Sequence, residues 1–149
     1  MKKINAAVFG LFASALTLLG CQPANAMDFG LGYQDNQVVN KEGVVASVGG
    51  EYNNLRYGVN TFATTDKLES YGVYGKMPIY IQGTNFAVTP QIQVDRYRDI
   101  GETVGSVGLG GEYAFTKTLR LEAIGMVSKG FDNSDVRGET YTIGLTKTF

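Results

Sequence analysis

Residues 141–149 read YTIGLTKTF and alternate between apolar and polar side chains. Tyr141, Ile143, Leu145 and Phe149 fall on one face of an extended chain, whereas all three threonines fall on the other. Side chains two residues apart share a face in a β-strand, not in a helix. This stretch therefore predicts a strand with one apolar face and one polar face.

The same period of two recurs in seven earlier runs, and no stretch after Met27 keeps a helical period for three turns. Each run covers about ten residues, which is the length that a tilted strand needs to cross a bilayer. The apolar faces of these runs, in chain order, are Phe29, Leu31 and Tyr33; Val44, Ala46, Val48 and Tyr52; Leu55, Tyr57, Val59 and Ala63; Tyr71, Val73, Met77, Ile79 and Ile81; Phe86, Val88, Ile92 and Val94; Val107, Leu109, Tyr113 and Phe115; and Leu119, Leu121, Ala123 and Val127.

The connections between the runs alternate in length. Long polar stretches follow the first run (35–43) and the seventh (130–138), whereas 53–54 and 116–118 are tight turns. Long loops on one side and short turns on the other are typical of outer-membrane barrels. The chain is therefore predicted to be all-β, an eight-stranded antiparallel up-and-down transmembrane β-barrel with its turns at the periplasmic end.

The opposite faces of the runs carry the polar residues, and an eight-stranded interior has room only for side chains. A polar interior implies an apolar exterior, which is tolerated in lipid or against a partner. Aromatic residues gather at both ends of the runs, as in the two girdles of an outer-membrane barrel. The predicted location is the outer membrane of a Gram-negative bacterium. A lipid-tethered soluble barrel that binds a small ligand needs the opposite assignment of faces.

The first 26 residues have the pattern of a signal peptide. Lys2 and Lys3 precede an apolar run, and Ala24 and Ala26 occupy the −3 and −1 positions of a cleavage site. An alternative is a lipobox-like cleavage before Cys21. The predicted organisation is a signal peptide over 1–26 and a barrel over 27–149.

Composition excludes several classes of function. The chain has no His and one Cys, which excludes Ser-His-Asp chemistry, His-ligated zinc, multi-Cys metal sites and an internal disulfide framework. Lys and Arg number 13 against 14 Asp and Glu, so nothing indicates a nucleic-acid partner. We expect no enzymatic activity and no cofactor.

Two segments carry a resemblance to a known group. Residues 141–149 resemble the C-terminal recognition strand of small barrels, and GLGGEYAFTKTLRL at 108–121 resembles a hairpin common in OmpA-like, OmpX-like and opacity-type barrels. The resemblance implies an assembly signal formed by Tyr141, Ile143, Leu145 and Phe149. It also implies the barrel assembly machinery and periplasmic chaperones as partners. Lys147 departs from the pattern, since the family usually has an apolar or aromatic residue there.

The inward face carries a set of charged residues. The Asn53–Asn54 turn sets Glu51 opposite Arg56, and the 116–118 turn sets Glu112 opposite Glu122 with Arg120 diagonal to Glu112. We expect a structural network, since buried charges must be paired; two inward carboxylates as an acid/base pair are the alternative. The predicted network consists of Glu51, Arg56, Lys76, Asp95, Glu112, Arg120 and Glu122.

The predicted function is that of a small non-enzymatic barrel presenting four surface loops, with a role in envelope integrity or surface interaction and adhesion. A narrow gated, porin-like channel is the alternative. Outer-membrane lipid, lipopolysaccharide, divalent ions or a host surface are the expected loop partners, and a cation site at 132–135 is a weaker possibility than a solvated loop tip. The charged loop residues are Asp35, Lys41, Glu42, Asp66, Lys67, Arg98, Asp99, Glu102, Asp132, Asp135 and Arg137.

Overall fold

A computed structural model describes residues 27–149 of the protein, all as strands and their connections. The predicted signal peptide, with Ala24, Ala26 and the alternative cleavage before Cys21, lies outside the described residues. The strands are β1 (Met27–Asn36), β2 (Lys41–Tyr52), β3 (Leu55–Ala63), β4 (Leu68–Lys76), β5 (Ile79–Tyr80), β6 (Phe86–Tyr97), β7 (Glu102–Ala114), β8 (Leu119–Gly130) and β9 (Arg137–Thr148).

The strands form a closed antiparallel barrel. Each long strand pairs with the next long strand in the chain, and β1 pairs with β9, so the sheet has no free edge among the eight long strands of residues 27–149. β5 is a two-residue strand that pairs only with Ala87 and Val88, near the start of β6. The predicted eight-stranded up-and-down barrel is thus confirmed. No helix in residues 27–149 is long and apolar enough to cross a bilayer.

The fourth run is one strand direction with an interruption at residues 77–78. β4 ends at Lys76, and Pro78 separates it from β5, which continues along β6 in the same register: Lys76 is opposite Gln91 and Ile79 is opposite Val88. Proline has no N–H for the ladder and fixes its own φ, so it interrupts a central strand. The interruption leaves the facing unchanged: Met77, Ile79 and Ile81 are exposed on the outer face as predicted. Tyr80 falls on the inner side, and its hydroxyl reaches Arg56 in the lumen.

The prediction of a long first loop is wrong. β1 and β2 continue pairing through Asp35↔Glu42 and Asn36↔Lys41, which leaves only residues 37–40 as a loop. The other connections at this end, called the loop end here, are 64–67, 98–101 and 131–136. The turn end carries 53–54, 81–85 and 115–118, together with Met27 and Phe149. All four loops are therefore short.

The two faces of the barrel have the predicted polarity. Outward side chains at mid-strand are strongly exposed, for example Ile92 at 65% and Leu109 at 60%, whereas inward Arg56 and Glu112 are 3% and 2% exposed. A soluble ligand-binding barrel would show the reverse, so that alternative is wrong. Aromatic side chains lie near both rims. At the turn end Phe86, Tyr113 and Phe115 contact one another in series, and Phe29 packs edge-on against Phe149. Towards the loop end Tyr33, Tyr71 and Tyr141 are exposed on the outer face.

Candidate functional site

Arg56 is the centre of a buried charge cluster at the turn end. Asn53 and Asn54 both adopt positive φ, as a tight two-residue hairpin requires, and this turn sets Glu51 opposite Arg56. Arg56 Nε lies 3.0 Å from Glu51 Oε2, and its Nη1 lies 2.6 Å from Glu112 Oε2 across the lumen. Its Nη2 also donates to the hydroxyl of Tyr80 at 2.7 Å.

Arg120 holds the opposite side of this cluster. Its Nη2 lies 3.1 Å from Asp28 Oδ2, and its Nε lies 3.3 Å from Glu112 Oε1. Lys76 Nζ binds Glu122 Oε2 at 2.5 Å. The deeply buried members are Asp28, Glu112 and Glu122 against Arg56, Lys76 and Arg120, so positive and negative charges balance; Glu51, with a 43% exposed side chain, lies at the edge.

The structure brings together six of the seven residues of the predicted network. Asp95 is the exception, and its inclusion is wrong: its carboxylate accepts hydrogen bonds from Asn60 at 3.2 Å and Gln93 at 2.6 Å. No ion pair within residues 27–149 includes it. The pairing of Lys76 with Gln91 explains this, because it sets Asp95 two inward positions above the charged layer.

Sequence reasoning missed two members of the cluster. Asp28 precedes Phe29, which was assigned to the outward face, so alternation alone indicated that Asp28 faces inward. Tyr80 gave the same signal, since it lies between Ile79 and Ile81, which were also assigned to the outward face.

The middle of the lumen is filled by Tyr74, whose hydroxyl lies over Gly49 and Gly58. A Cβ at these glycines would lie 2.6 and 2.9 Å from that hydroxyl. The Tyr74 side chain therefore fits only because both positions are glycine. A cavity of about 70 Å³ remains beside Tyr74, lined by Asn60, Gln91 and other polar groups. That volume holds only a few water molecules.

A second set of ion pairs crosses the loop end. Lys41 Nζ, at the start of β2, lies 2.8 Å from Glu69 Oε1 on β4 and 3.4 Å from Asp99 Oδ2 in the 98–101 loop. Lys67 also binds Asp99, and its hydrogen bond holds the pKa of the Asp99 carboxyl below its ordinary value. Three loops are thus tied together across the mouth.

Several of the charged residues expected to meet an external ligand are used within the protein. Glu102 is buried, and its Oε1 accepts hydrogen bonds from the backbone N–H groups of Asp132 and Asn133 at 2.8 and 3.2 Å, which shapes the 131–136 loop. Glu42 lies on the outer face and accepts a hydrogen bond from Tyr33. The described residues contain no group of three or more His, Cys, Asp or Glu side chains arranged to hold a metal.

The residues of the predicted assembly signal all lie on the outward face of β9 or just beyond it. Tyr141, Ile143 and Leu145 are about half exposed and Phe149 is 73% exposed. Lys147 points outward as well, and its Nζ reaches Thr118 Oγ1 in the turn at 2.8 Å. The charge therefore lies at the rim rather than in the apolar belt, as expected for a snorkelling lysine.

No family model matches this chain, and no curated protein matches it. Three of the solved structures that match this chain show its fold. They are a chain from the de novo design of transmembrane beta-barrels (TM-score 0.63, 13% identity, covering 86% of this chain and 98% of that one), the Yersinia pestis outer membrane protein Ail in a phospholipid bilayer nanodisc (0.56, 16%, 85% and 100%) and Neisserial surface protein A (0.51, 16%, 83% and 95%). The chain thus has the fold of small eight-stranded transmembrane barrels.

Proposed function

We propose that this protein is a non-enzymatic barrel of the bacterial outer membrane whose role is in envelope integrity. The observation that carries the proposal is the belt of exposed Val, Leu and Ile side chains around a charged, closed interior. An apolar belt of this kind is stable only when lipid covers it. The fold shared with membrane barrels from two bacteria and from design supports the same location.

The short loops favour a role in the envelope over adhesion. The loops contain four to six residues each, and Lys41, Lys67, Asp99 and Glu102 are bound to other parts of the chain. An adhesive surface needs side chains free to meet a partner over a sizeable area. This barrel offers little such area above the membrane.

A structural role for the interior charges is favoured over catalysis and over a channel. Glu112 and Glu122, the candidate acid/base pair, are each within 4 Å of buried cations. The cluster around Arg56 spans the lumen at one end, and the ion pairs of Lys41 and Asp99 cross the other. We therefore expect purified protein in planar bilayers to show no steady single-channel conductance, and a regular conductance abolished by Arg56→Gln would favour the channel instead.

Fractionation of a Gram-negative host that expresses the full chain tests the location. We expect the protein in the outer membrane, resistant to extraction with carbonate or urea, and with a gel mobility that changes on boiling. Recovery in the soluble fraction without a mobility shift would contradict the proposal. In an envelope role, deletion of the gene in its own host should raise sensitivity to bile salts and detergents without changing adherence to surfaces.

The assembly signal is tested separately. If Phe149 and its alternating partners are read by the assembly machinery, deletion of Phe149 should leave unfolded, degraded protein in the periplasm. Replacement of Lys147 by Phe, which matches the family pattern more closely, should leave assembly intact. Normal insertion of the Phe149-deleted chain would contradict this part of the proposal.

A further inference from the structure

An apolar groove of about 600 Å³ runs across the outer surface of β4, β6, β7 and β8. Outward-facing Gly75 and Gly105 form its low points, since both pair with outward residues: Gly75 with Ile92 and Gly105 with Val94. A Cβ at Gly75 would have ordinary contact with Ile92 alone, at 3.8 Å. The groove walls are Val73, Ile92, Val94, Val107 and Phe131.

Phe131 closes the upper part of this groove. Its backbone N–H donates to the carbonyl of Thr103 at 2.9 Å, and its ring covers Gly105, where a Cβ would lie 2.9 Å from the ring. The groove therefore begins just below the loop end and runs down into the apolar belt. Its volume lies within the range of small-molecule sites, about 300–1,000 Å³.

Three cations lie at the upper edge of the groove. Lys129 lines it, and Arg137 is directly opposite Lys129 in the β8–β9 ladder. Arg96 lies one outward position above Val94 on β6 and donates to Thr103 Oγ1 at 3.1 Å. All three side chains are exposed, and none forms an ion pair with a carboxylate of residues 27–149.

The opposition of Lys129 and Arg137 is unfavourable. Glu139, the carboxylate at the next outward position of β9, accepts a hydrogen bond from Tyr141 and forms no ion pair with either cation. Like charges directly across an antiparallel ladder destabilise it, and a lysine on the lipid face has an added cost away from the interface. An anion held between the two side chains would offset both effects. Arg in particular binds phosphate oxygens through two parallel N–H groups.

We propose that this groove and its cationic edge bind one lipid A moiety of lipopolysaccharide, with a phosphate at Lys129 and Arg137 and an acyl chain over Gly75 and Gly105. The identification of the lipid rests on the proposed function, since the loop end must face outward for the groove to meet the outer leaflet. Lipid A has phosphate groups and acyl chains. The surface offers a cationic edge for the first and an apolar groove directly below it for the second.

Native mass spectrometry of the detergent-folded barrel with purified lipid A tests the proposal. The double variant Lys129→Ala/Arg137→Ala should lower lipid A affinity about tenfold or more, because it removes both charge-assisted contacts to the phosphate. Lys117→Ala, which removes an exposed cation from the 115–118 turn at the opposite end of the barrel, should leave the affinity unchanged. Dephosphorylated lipid A should bind the parent protein about as weakly as lipid A binds the double variant.

Gly75→Val tests the apolar part, because its side chain would fill the groove. We expect it to weaken lipid A binding, whereas Gly111→Val, at an outward glycine with open space outside the groove, should not. The boiling-dependent gel shift of each variant verifies folding, and the charge variants do not alter the groove floor.

Unchanged affinity in the double variant, equal binding of dephosphorylated lipid, or concentration-dependent pairing of barrels abolished by Gly75→Val would each overturn the proposal. A barrel that reaches the outer membrane but does not bind lipid A refutes only this inference, whereas failure to reach that membrane refutes the proposed function.

Discussion

Replacement of Arg56 by methionine should strongly destabilise the barrel. Arg56 is 3% exposed, and its guanidinium is the cation closest to Glu112. In its absence the buried cluster would contain three carboxylates and two cations, and Arg120 at 3.3 Å would serve both Glu112 and Asp28. Removal of one partner from a buried ion pair typically costs about 3–5 kcal/mol. That is a large part of the total stability of a domain, about 5–15 kcal/mol.

Urea titration in lipid vesicles, followed by the fraction of fast-migrating band in unboiled gels, measures this loss. The double variant Arg56→Met/Glu112→Gln should be less unstable than the sum of its single variants, because the second change removes the uncompensated charge. Glu51→Gln is the matched control: its side chain is 43% exposed, so we expect a loss of about 0–1 kcal/mol. An Arg56→Met barrel within about 1 kcal/mol of the parent would refute the reasoning.

Three further predictions concern the lipid face, the interior and the loops. Leu109→Arg, at the middle of β7, should cost about 2–4 kcal/mol in bilayers, whereas Thr116→Arg in a turn should cost little; equal stabilities would contradict the lipid assignment. Gly58→Ala should cost about 1–3 kcal/mol in the same titration, because its Cβ would lie 2.2 Å from the Val48 carbonyl oxygen, and Gly111→Ala serves as the tolerated control. The Asp99 carboxyl should titrate below 3.8 in carbon-detected NMR, since Lys67 lowers its pKa; the loop pairing then stabilises the fold above that pH and is lost as pH falls through the lowered pKa. Lys67→Ala should raise the Asp99 midpoint, and an unmoved midpoint would show that the pair does not form.

The sequence predicts the strands and their facing well because both depend on local chemistry. Alternation alone identifies the outward side of each strand, and barrel closure follows from the number of strands and the polarity of the interior. The Glu51–Arg56 register could also be predicted, since a two-residue Asn-Asn turn at positive φ permits one pairing of the flanking strands.

The first loop was mispredicted because pairing continues beyond the apolar belt. Above the membrane the outward face is also polar, as at Asp35 and Glu42, so alternation disappears while the ladder persists. A period-two pattern reports the environment of a strand, not its hydrogen bonds. Strand ends outside lipid are therefore easily taken for loops.

Asp95 shows why an interior position does not identify a partner. Alternation gives the facing of a side chain but not its height in the barrel, which depends on the stagger between neighbouring strands. The β4–β6 register sets Asp95 opposite Gly72, where a Cβ would lie 2.2 Å from its carboxylate, rather than beside Lys76. Its hydrogen bonds to amides follow from that height.

The distribution of glycines separates structure from function in this barrel. Inward Gly49 and Gly58 are explained by the volume of Tyr74, since a methyl group at either position would meet its hydroxyl. Outward Gly75 has no such explanation, because the space above it lies on the lipid side and is open. Gly111 is open in the same way but lies outside the groove, so an outward glycine alone does not indicate a site. The combination of an unfilled groove and an unpaired cationic edge at Lys129 and Arg137 therefore argues that lipid is bound there at a defined site rather than as uniform solvent.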